Sequence, residues 1–293
     1  MNWWKNLKGK VSFREPLNKH TTFKIGGPAE IFFEPRDLGD LKLLVIAAKK
    51  YNIPIFLIGA GSNILVSDKG IKAVVLKLSS PYFKKISFKN SSLEVGSGLM
   101  LNRIVQIAQK RGFTGTEFLA GIPGTVGGAM AMNAGAWGKS IGELLQKVRV
   151  MDYNGSVKTL TKENIKFSYR RSNLGRFIIL SADLKLYQSN KKVVRENINM
   201  YISRRRKTQD TTFANAGCIF RNPAGESTGR LIDLCGLKGR RRGKAYISTR
   251  HANFILNRGN AFSSDVLSLM DLVRKKVKGK FNITLKPEIK IWY

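Results

Sequence analysis

The spacing of apolar residues predicts strands and helices throughout the first part of the chain. Alternating or continuous apolar runs predict strands at residues 29–34, 55–58 and 73–78, and a pair of strands within 82–95. Apolar residues at helical spacing predict one helix at 37–50. A second helix carries Leu101, Ile104, Val105 and Ala108 on one face, and we expect it to end at Gly112, a good C-terminal cap.

The same patterns continue in the second part of the chain. Strands are predicted at 147–152, 156–160 and 177–187, and Asn154-Gly155 between the first two is a strong hairpin signal. A helix is predicted from residue 191, a long final helix is expected to be capped by Ser264, and a last strand is predicted at 283–285. The pattern indicates an α+β fold, with domains at 20–188 and 189–293.

Two glycine-rich segments interrupt these elements. The first, residues 59–63, directly follows a buried strand, and the second, residues 120–130, looks too rich in glycine for a regular element. Each segment alone is compatible with a tight turn, but glycine also lets backbone N–H groups approach a phosphate without a side-chain clash. Together, two such loops favour a large anionic cofactor such as a dinucleotide.

The composition narrows the class of protein. The 293 residues contain 52 Lys and Arg against 19 Asp and Glu, a net charge of +33. This charge fits either a nucleic-acid-binding protein or an enzyme with a lysine-rich surface that attracts anionic substrates. Basic clusters lie at 204–207 and 238–242, and we see no long basic tail. We favour the enzyme and predict no specific nucleic-acid partner.

The sequence has few cysteines and lacks the patterns typical of metal-binding, secreted or membrane proteins. The two cysteines, Cys218 and Cys235, do not have the spacing of a zinc site, so we predict no metal. Cys235 lies in an apolar helical patch and is interpreted as a core residue. The N-terminus lacks a signal-peptide pattern and no apolar run is long enough to span a bilayer. We therefore expect a cytoplasmic monomer without membrane insertion.

Several motifs, in a fixed order along nearly the whole chain, resemble those of the UDP-N-acetylenolpyruvoylglucosamine reductases, the MurB family. The matching segments are Thr21–Ala29, Gly59–Leu65, Glu117–Gly128, Met132–Ala136, Phe167–Ser172, Ala216–Pro223, Gly236–Gly239, Ser248–Phe254 and Pro287-Glu288. The resemblance implies a p-cresol-methylhydroxylase-type FAD-binding region of two subdomains and a C-terminal α+β substrate domain. It also implies reduction of UDP-N-acetylglucosamine enolpyruvate to UDP-N-acetylmuramate for peptidoglycan synthesis, with hydride passing from NADPH through FAD to the enolpyruvyl group.

The family match also suggests which residues act. Arg170 and Glu288 would stabilise the negative charge that develops during reduction, Cys218 would donate the proton, and Asn222 would bind the substrate. The cofactor would be held by Gly59, Ala60, Gly61, Ser62, Asn63, Gly121, Gly124, Thr125, Gly127, Gly128, Asn133 and Gly135. An arginine suits a carboxylate because its planar fork can donate two parallel hydrogen bonds. His251 is expected to have a structural or cofactor-side role.

Three features depart from the usual family pattern. Cys218 stands where many members have serine, Asp210 stands where proline is usual, and the stretch from Ser172 to Leu186 has no room for an inserted substrate-closing loop. The last feature predicts the subtype without that loop. Two alternatives remain open from the sequence: another flavin oxidoreductase of the same superfamily, and a basic nucleic-acid-binding protein.

Overall fold

The computed structural model describes residues 3–293, which form two compact units. The described part of unit 1 comprises residues 3–13, 31–60 and 73–203, and unit 2 comprises residues 14–30, 61–72 and 204–293. Both units are therefore assembled from three separate stretches of chain. The functional domains expected at 20–188 and 189–293 stay a prediction, because these units are defined by packing alone.

The helices follow the predicted pattern over most of the chain. The α-helices are α1 (Leu38–Lys50), α2 (Leu101–Arg111), α3 (Val126–Met132), α4 (Ile141–Leu144), α5 (Lys191–Thr208), α6 (Thr228–Leu234) and α7 (Ser263–Phe281). Short 3-10 helices occur at Trp3–Asn6, Leu17–Lys19, Pro81–Lys84, Glu117–Leu119, Lys162–Asn164 and Asn173–Arg176. The predicted end of α2 is confirmed, since Gly112 caps it with a φ of 73°.

The strands of the first two-thirds of the chain are β1 (Lys10–Pro16), β2 (Pro28–Glu34), β3 (Ile55–Leu57), β4 (Ile64–Val66), β5 (Ile71–Leu76), β6 (Ile86–Lys89), β7 (Ser92–Gly96), β8 (Phe113–Thr114), β9 (Gly135–Ala136), β10 (Lys139–Ser140), β11 (Leu145–Met151), β12 (Val157–Thr161), β13 (Phe167–Ser168), β14 (Arg171–Ser172), β15 (Ile178–Lys185) and β16 (Tyr187–Gln188). They are followed by β17 (Ala214–Cys218), β18 (Arg241–Arg242), β19 (Ala245–Ile247), β20 (Phe254–Asn257) and β21 (Lys290–Trp292). One four-stranded sheet has the order β1-β2-β5-β3.

Unit 1 contains two apolar clusters. In one of them, Leu41, Leu44 and Val45 on the buried face of α1 pack with strand residues such as Phe33 and Val74. The other cluster joins α2 and α3 to an antiparallel sheet of order β12-β11-β15-β7-β6. The predicted hairpin at Asn154-Gly155 is confirmed by the pairing of β11 with β12. Gly155, with a φ of 82°, supplies its left-handed residue.

Unit 2 is built round an antiparallel sheet of order β17-β20-β19-β18. Helix α7 buries Val266, Leu269, Met270 and Val273, one helical stripe, in the same cluster as Ile247 and Ile255 of the sheet. The last strand, β21, pairs in parallel with β4, which lies in the first quarter of the chain.

The structure corrects the prediction for the second glycine-rich segment. It holds a regular element, α3, whose N-cap Thr125 accepts a hydrogen bond from the Gly128 N–H at 3.4 Å. Burial of Val126, Ala129 and Met130 offsets the low helix propensity of Gly127 and Gly128.

Two predictions near the C-terminus are wrong. Ser264 does not cap α7; Phe262 holds the N-cap position, and the N–H of Ser263 donates to the carboxylate of Asp68 at 2.8 Å. Residues 283–285 are irregular, and the strand lies instead at Lys290–Trp292, where β4 provides a partner. In both cases a residue distant in sequence decides the local structure.

None of the helices among residues 3–293 combines the length and the apolar character needed to cross a membrane.

Replacement of Asp40 tests the packing of the N-terminal segment. This buried carboxylate accepts hydrogen bonds from the N–H groups of Lys8 and Arg36, each at 2.9 Å. Because Asp40→Ala leaves both donors without their acceptor, we expect a loss of about 2–4 kcal/mol of unfolding free energy in urea titrations. Asp271→Ala, a surface change on α7, is the control and is expected to alter stability by less than about 0.5 kcal/mol. Equal effects of the two changes would contradict this role of Asp40.

Candidate active site

The two glycine-rich segments meet within unit 1. A Cβ atom on Gly59 would lie 2.5 Å from Oγ1 of Thr125, so only glycine allows this approach. Next to this contact, the residues with little or no side chain, Ala60, Gly124 and Gly127, are half-buried, whereas Gly121 and Gly128 are exposed. The two segments therefore meet at Thr125, next to main chain that is partly accessible to solvent.

The rest of the first segment belongs to unit 2 and has a structural role there. Gly61 has a φ of 66°, and a Cβ atom on it would lie 2.0 Å from the carbonyl oxygen of His20. The tight-turn explanation therefore accounts for Gly61. Asn63 donates from its side chain to the carbonyl oxygen of Glu288 at 3.2 Å, and Ser62 beside it is half-buried. Asn63 thus holds the backbone of a predicted catalytic residue.

Asn133 and Gly135 support the hairpin that carries Arg170. Asn133, the left-handed C-cap of α3, donates from Nδ2 to the carbonyl oxygen of Ser168 at 3.1 Å and accepts from the N–H of Gly142 at 3.1 Å. Gly135 accepts a 2.8 Å hydrogen bond from Nη1 of Arg170. Both residues lie close to a predicted catalytic group, and their cofactor contacts stay a prediction.

Arg170 occupies a strained position in a tight turn. It lies in the two-residue loop between β13 and β14, with a φ of 55°, and its guanidinium lies 5.4 Å from the ring centre of Tyr169. A non-glycine residue in this region costs about 1–3 kcal/mol, and such strain is concentrated at functional sites. The surrounding hydrogen bonds hold this half-buried guanidinium in a fixed direction.

Cys218 lies in unit 2, at the end of a bulged strand. The pairing of β17 with β20 shifts register between Asn215 and Cys218, and Gly217 within the bulge has a φ of 74°. The bulge is fixed from both sides, because Oδ1 of Asn215 accepts from the Gly217 N–H at 3.0 Å, and its carbonyl oxygen accepts from the Thr22 hydroxyl at 2.7 Å. A bulge of this kind redirects the side chain that follows it.

Glu288 lies next to Cys218 in the same unit. Its N–H donates to the carbonyl oxygen of Ile219 at 2.8 Å, and Phe220 and Pro287 form an antiparallel bridge. Two of the three predicted catalytic residues are therefore brought together by the main chain, and both are half-buried. The third, Arg170, belongs to unit 1.

Asn222 is exposed four residues after Cys218. Its Oδ1 accepts from the Thr228 N–H at 3.0 Å, and the Thr228 hydroxyl donates to the carbonyl oxygen of Arg221 at 2.8 Å. These bonds fold residues 221–228 into a fixed loop. They give Asn222 a role in the turn, and its contact with substrate stays a prediction.

A polar network around Ser248 holds His251. Burial alone would raise the pKa of Asp210, but hydrogen bonds from Ser248 and Thr212 outweigh it and leave the pKa below its ordinary value. The Ser248 hydroxyl donates to Asp210 at 2.6 Å and accepts from the N–H of His251 at 3.0 Å. Burial lowers the pKa of His251, which favours the neutral form of its ring. The structural or cofactor-side role of His251 stays a prediction.

Cys235 is half-buried and packs against the apolar cluster of unit 2, in agreement with its interpretation as a core residue. The described residues 3–293 contain no group of three or more His, Cys, Asp or Glu side chains that could hold a metal ion.

Sequence reasoning missed three positioning residues. Thr22 and Asn215 fix the bulge before Cys218, and Asp210 anchors Ser248. Thr22 lies in the first recognised motif, but its partner is 193 positions away in the chain. No local pattern reveals such a contact.

Comparisons with known proteins identify the family. A model of the C-terminal domain of UDP-N-acetylenolpyruvoylglucosamine reductases matches residues 208–292, and a model of an FAD-binding domain matches residues 29–161. The UDP-N-acetylenolpyruvoylglucosamine reductase of Bacillus subtilis (strain 168) is 40% identical over 286 residues, which cover 97% of this chain and 94% of that protein. The chain belongs to the UDP-N-acetylenolpyruvoylglucosamine reductase family.

Further relatives agree with this family. The reductase of Desulforamulus reducens is 39% identical over 287 residues, covering 97% of this chain and 94% of that protein. The crystal structure of the reductase from Thermus caldophilus superimposes with a TM-score of 0.84 at 34% identity, covering 98% of this chain and all of that one. These matches confirm the recognised family and the α+β fold class with an FAD-binding domain and a family-specific C-terminal domain. The subtype without the closing loop stays a prediction.

Replacement of Gly217 tests the bulge. A Cβ atom added at Gly217 or at Gly236 would meet no atom of the described residues 3–293 within 4 Å. The φ angles of the two glycines are similar, 74° at Gly217 and 66° at Gly236. Gly217→Ala and Gly236→Ala should therefore each cost about 1 kcal/mol of stability through backbone strain alone. We expect reductase activity, measured as NADPH oxidation, to fall at least about tenfold only in Gly217→Ala, because the bulge directs Cys218. Equal activities in the two variants would exclude this role.

Proposed function

We propose that this protein catalyses the NADPH-dependent, FAD-mediated reduction of UDP-N-acetylglucosamine enolpyruvate to UDP-N-acetylmuramate, a step of peptidoglycan synthesis, as a cytoplasmic monomer. Family membership supports the reaction. The observation that carries the assignment of residues is the 2.8 Å hydrogen bond from the Glu288 N–H to Ile219, which joins Glu288 to the strand of Cys218. A carboxyl group and a thiol so held are suited to charge stabilisation and proton transfer.

The glycine-rich surface of unit 1 fits FAD. Gly121 and Gly128 are exposed, and both Gly59 and Gly128 lie beside Thr125, where a Cβ atom on either glycine would come within 3.5 Å of the Thr125 Oγ1. Such a surface offers N–H groups to a diphosphate without steric obstruction. We assign Gly59, Ala60, Gly124, Thr125 and Gly127 to the same role, whereas the cofactor contacts of Gly61, Ser62 and Asn63 stay a prediction from the sequence.

Bound FAD would supply the redox chemistry, accepting hydride from NADPH and delivering it to the β carbon of the enolpyruvyl group. Reduction at that carbon pushes negative charge towards the substrate carboxylate. Arg170 binds this carboxylate in our proposal. Its left-handed backbone and its bond to Gly135 fix the guanidinium before the substrate arrives, which reduces the reorganisation needed in the transition state.

Cys218 donates the proton that the α carbon requires. A thiol is a stronger acid than the serine hydroxyl found in many relatives, so the substitution preserves the capacity to donate. Glu288 lies beside it, and a protonated carboxyl group there would donate a hydrogen bond to the same developing charge. Asn222 binds the substrate from its fixed loop, and the charge of +33 attracts a substrate that carries two phosphates and a carboxylate.

Substitution of Cys218 tests the proposed proton transfer. We expect Cys218→Ser to retain at least about a tenth of the parental turnover, because a hydroxyl can replace the thiol as donor. In Cys218→Ala, NADPH should still bleach the flavin absorption, whereas reoxidation by the enolpyruvyl substrate should slow by about 10²–10⁴-fold. Stopped-flow absorbance separates the two half-reactions.

Cys235→Ala is the matched control for the loss of a thiol outside the site, and its two half-reactions should equal those of the parent. Parental reoxidation in Cys218→Ala would remove Cys218 from the mechanism. A purified protein that takes up no FAD and shows no NADPH bleaching would contradict the proposed function as a whole.

The role of Arg170 is tested by a change that preserves charge. Arg170→Lys loses the planar fork and should lower kcat by about 10²-fold, because lysine cannot reproduce two parallel hydrogen bonds to a carboxylate. Arg171→Lys, at the exposed neighbouring position, should leave steady-state kinetics within about twofold of the parent. A kcat for Arg170→Lys equal to that of Arg171→Lys would contradict the assignment.

A further inference from the structure

A cationic pocket lies on the β18–β19 hairpin of unit 2. We call it the Arg258 pocket: a concavity of about 330 Å³ lined by Arg241, Gly243, Lys244, Ala245, Tyr246 and Arg258. Cys218 pairs with Phe254 at one end of β20, whereas Arg258 directly follows the other end. Four residues along a strand span about 13 Å, so the pocket is separate from the proposed proton donor.

The hairpin that forms the pocket is held firmly against α7. Gly243, in the turn between β18 and β19, has a φ of 49°. A Cβ atom on it would lie 2.4 Å from a carboxylate oxygen of Asp265, so only glycine can occupy this position. Asp265 is itself fixed, because it accepts from the Phe262 N–H at 3.0 Å. The turn thus has a defined position.

Arg258 is oriented by two aromatic rings. Its guanidinium carbon lies 5.5 Å from the ring centre of Tyr246 and 5.6 Å from that of Phe213, and the two rings contact each other edge to face. The Arg258 N–H also donates to the carbonyl oxygen of Lys244 at 3.0 Å. Stacking occupies the faces of a guanidinium and leaves the N–H donors at its edge available for an anion.

The other two cations stand on the same side of the hairpin or at its turn. Arg241 lies directly opposite Tyr246 across the two strands, so both side chains belong to one face. Lys244 follows Gly243 in the turn. Within the described residues 3–293, none of Arg241, Lys244 and Arg258 forms an ion pair. The carboxylate of Asp265 lies against the hairpin backbone at Gly243.

We propose that the Arg258 pocket binds the phosphate or diphosphate group of a small anionic ligand, at a site distinct from that of the enolpyruvyl substrate. Three converging cations, one of them a pre-oriented arginine, match the charge and the many acceptor oxygens of such a group. This site gives a role to Arg241 of the basic cluster at 238–242, a residue that the proposed reaction does not use.

A small ligand fits this site better than a nucleic-acid strand. Single-stranded nucleic acids are bound by extended basic grooves with aromatic faces free for base stacking. Here the cations converge on one concavity, and Arg258 already occupies the faces of Tyr246 and Phe213. The size of the pocket suits a single ligand group.

Calorimetric titration of the full-length, FAD-loaded protein with sodium pyrophosphate tests the proposal. We expect saturable binding that weakens about tenfold or more in Arg258→Gln and in Arg241→Gln, since each loses a charge-assisted hydrogen-bond donor. Arg258→Lys, which keeps the charge but loses the fork, should weaken binding less than Arg258→Gln. Reductase kinetics should stay within about twofold of the parent in all three variants. Circular dichroism checks that each variant is folded.

Arg230→Gln and Arg274→Gln are the matched controls, because each removes one exposed positive charge from unit 2 outside the pocket. Equal weakening in these controls would show a diffuse charge effect and overturn the proposal. Loss of pyrophosphate binding in Asn222→Ala, with retention in Arg258→Gln, would place the anion in the substrate site and also overturn it. Binding of a single-stranded oligonucleotide without saturable pyrophosphate binding would favour a nucleic-acid surface instead. Failure of the proposed reductase function would leave these binding results unaffected.

Discussion

The arrangement of Cys218 and Glu288, the residues proposed to act in unit 2, depends on one main-chain hydrogen bond, from the Glu288 N–H to the carbonyl oxygen of Ile219. It joins the end of the chain to the strand that carries Cys218. Around it, Asn63 holds the carbonyl oxygen of Glu288, and Asn215 with Thr22 fixes the bulge that precedes Cys218. Backbone contacts are less sensitive to side-chain substitution than ion pairs are. The same contacts would hold a serine at position 218, because none of them involves the side chain of that residue.

Polar side chains in this protein serve mainly to hold other groups. Asn133 connects α3 to the turn of Arg170, Asp40 anchors the N-terminal segment, and Asp210 organises Ser248 and the backbone of His251. With 19 acidic residues against 52 basic ones, each buried carboxylate is an uncommon group in this chain. The buried ones accept several hydrogen bonds each, which offsets the penalty of removing them from water. The excess of positive charge remains at the surface.

The sequence alone predicts those parts of the structure that depend only on neighbouring residues in the chain. The end of α2 at Gly112 and the hairpin at Gly155 each need a residue in the left-handed backbone conformation, which glycine adopts without steric cost. The family motifs predict that Cys218 and Glu288 share one site, and in the structure Glu288 is hydrogen-bonded to Ile219, the residue after Cys218. Where the sequence misled us, the deciding partner was remote. Asp68 replaces the expected Ser264 cap from 195 positions away, and β4 selects the true position of the last strand. The helix within the glycine-rich segment forms because its apolar face is buried, which composition alone does not reveal.

The discontinuous construction of unit 2 has a consequence for biosynthesis. Helix α7 needs Asp68 at its start, and β21 needs β4 beside it, although both partners leave the ribosome some 200 residues earlier. Residues 61–72 therefore lack these native partners until residues 263–292 have been synthesised. Until then, apolar side chains that unit 2 buries in its finished core lack part of their cover, a condition under which incompletely folded chains tend to aggregate.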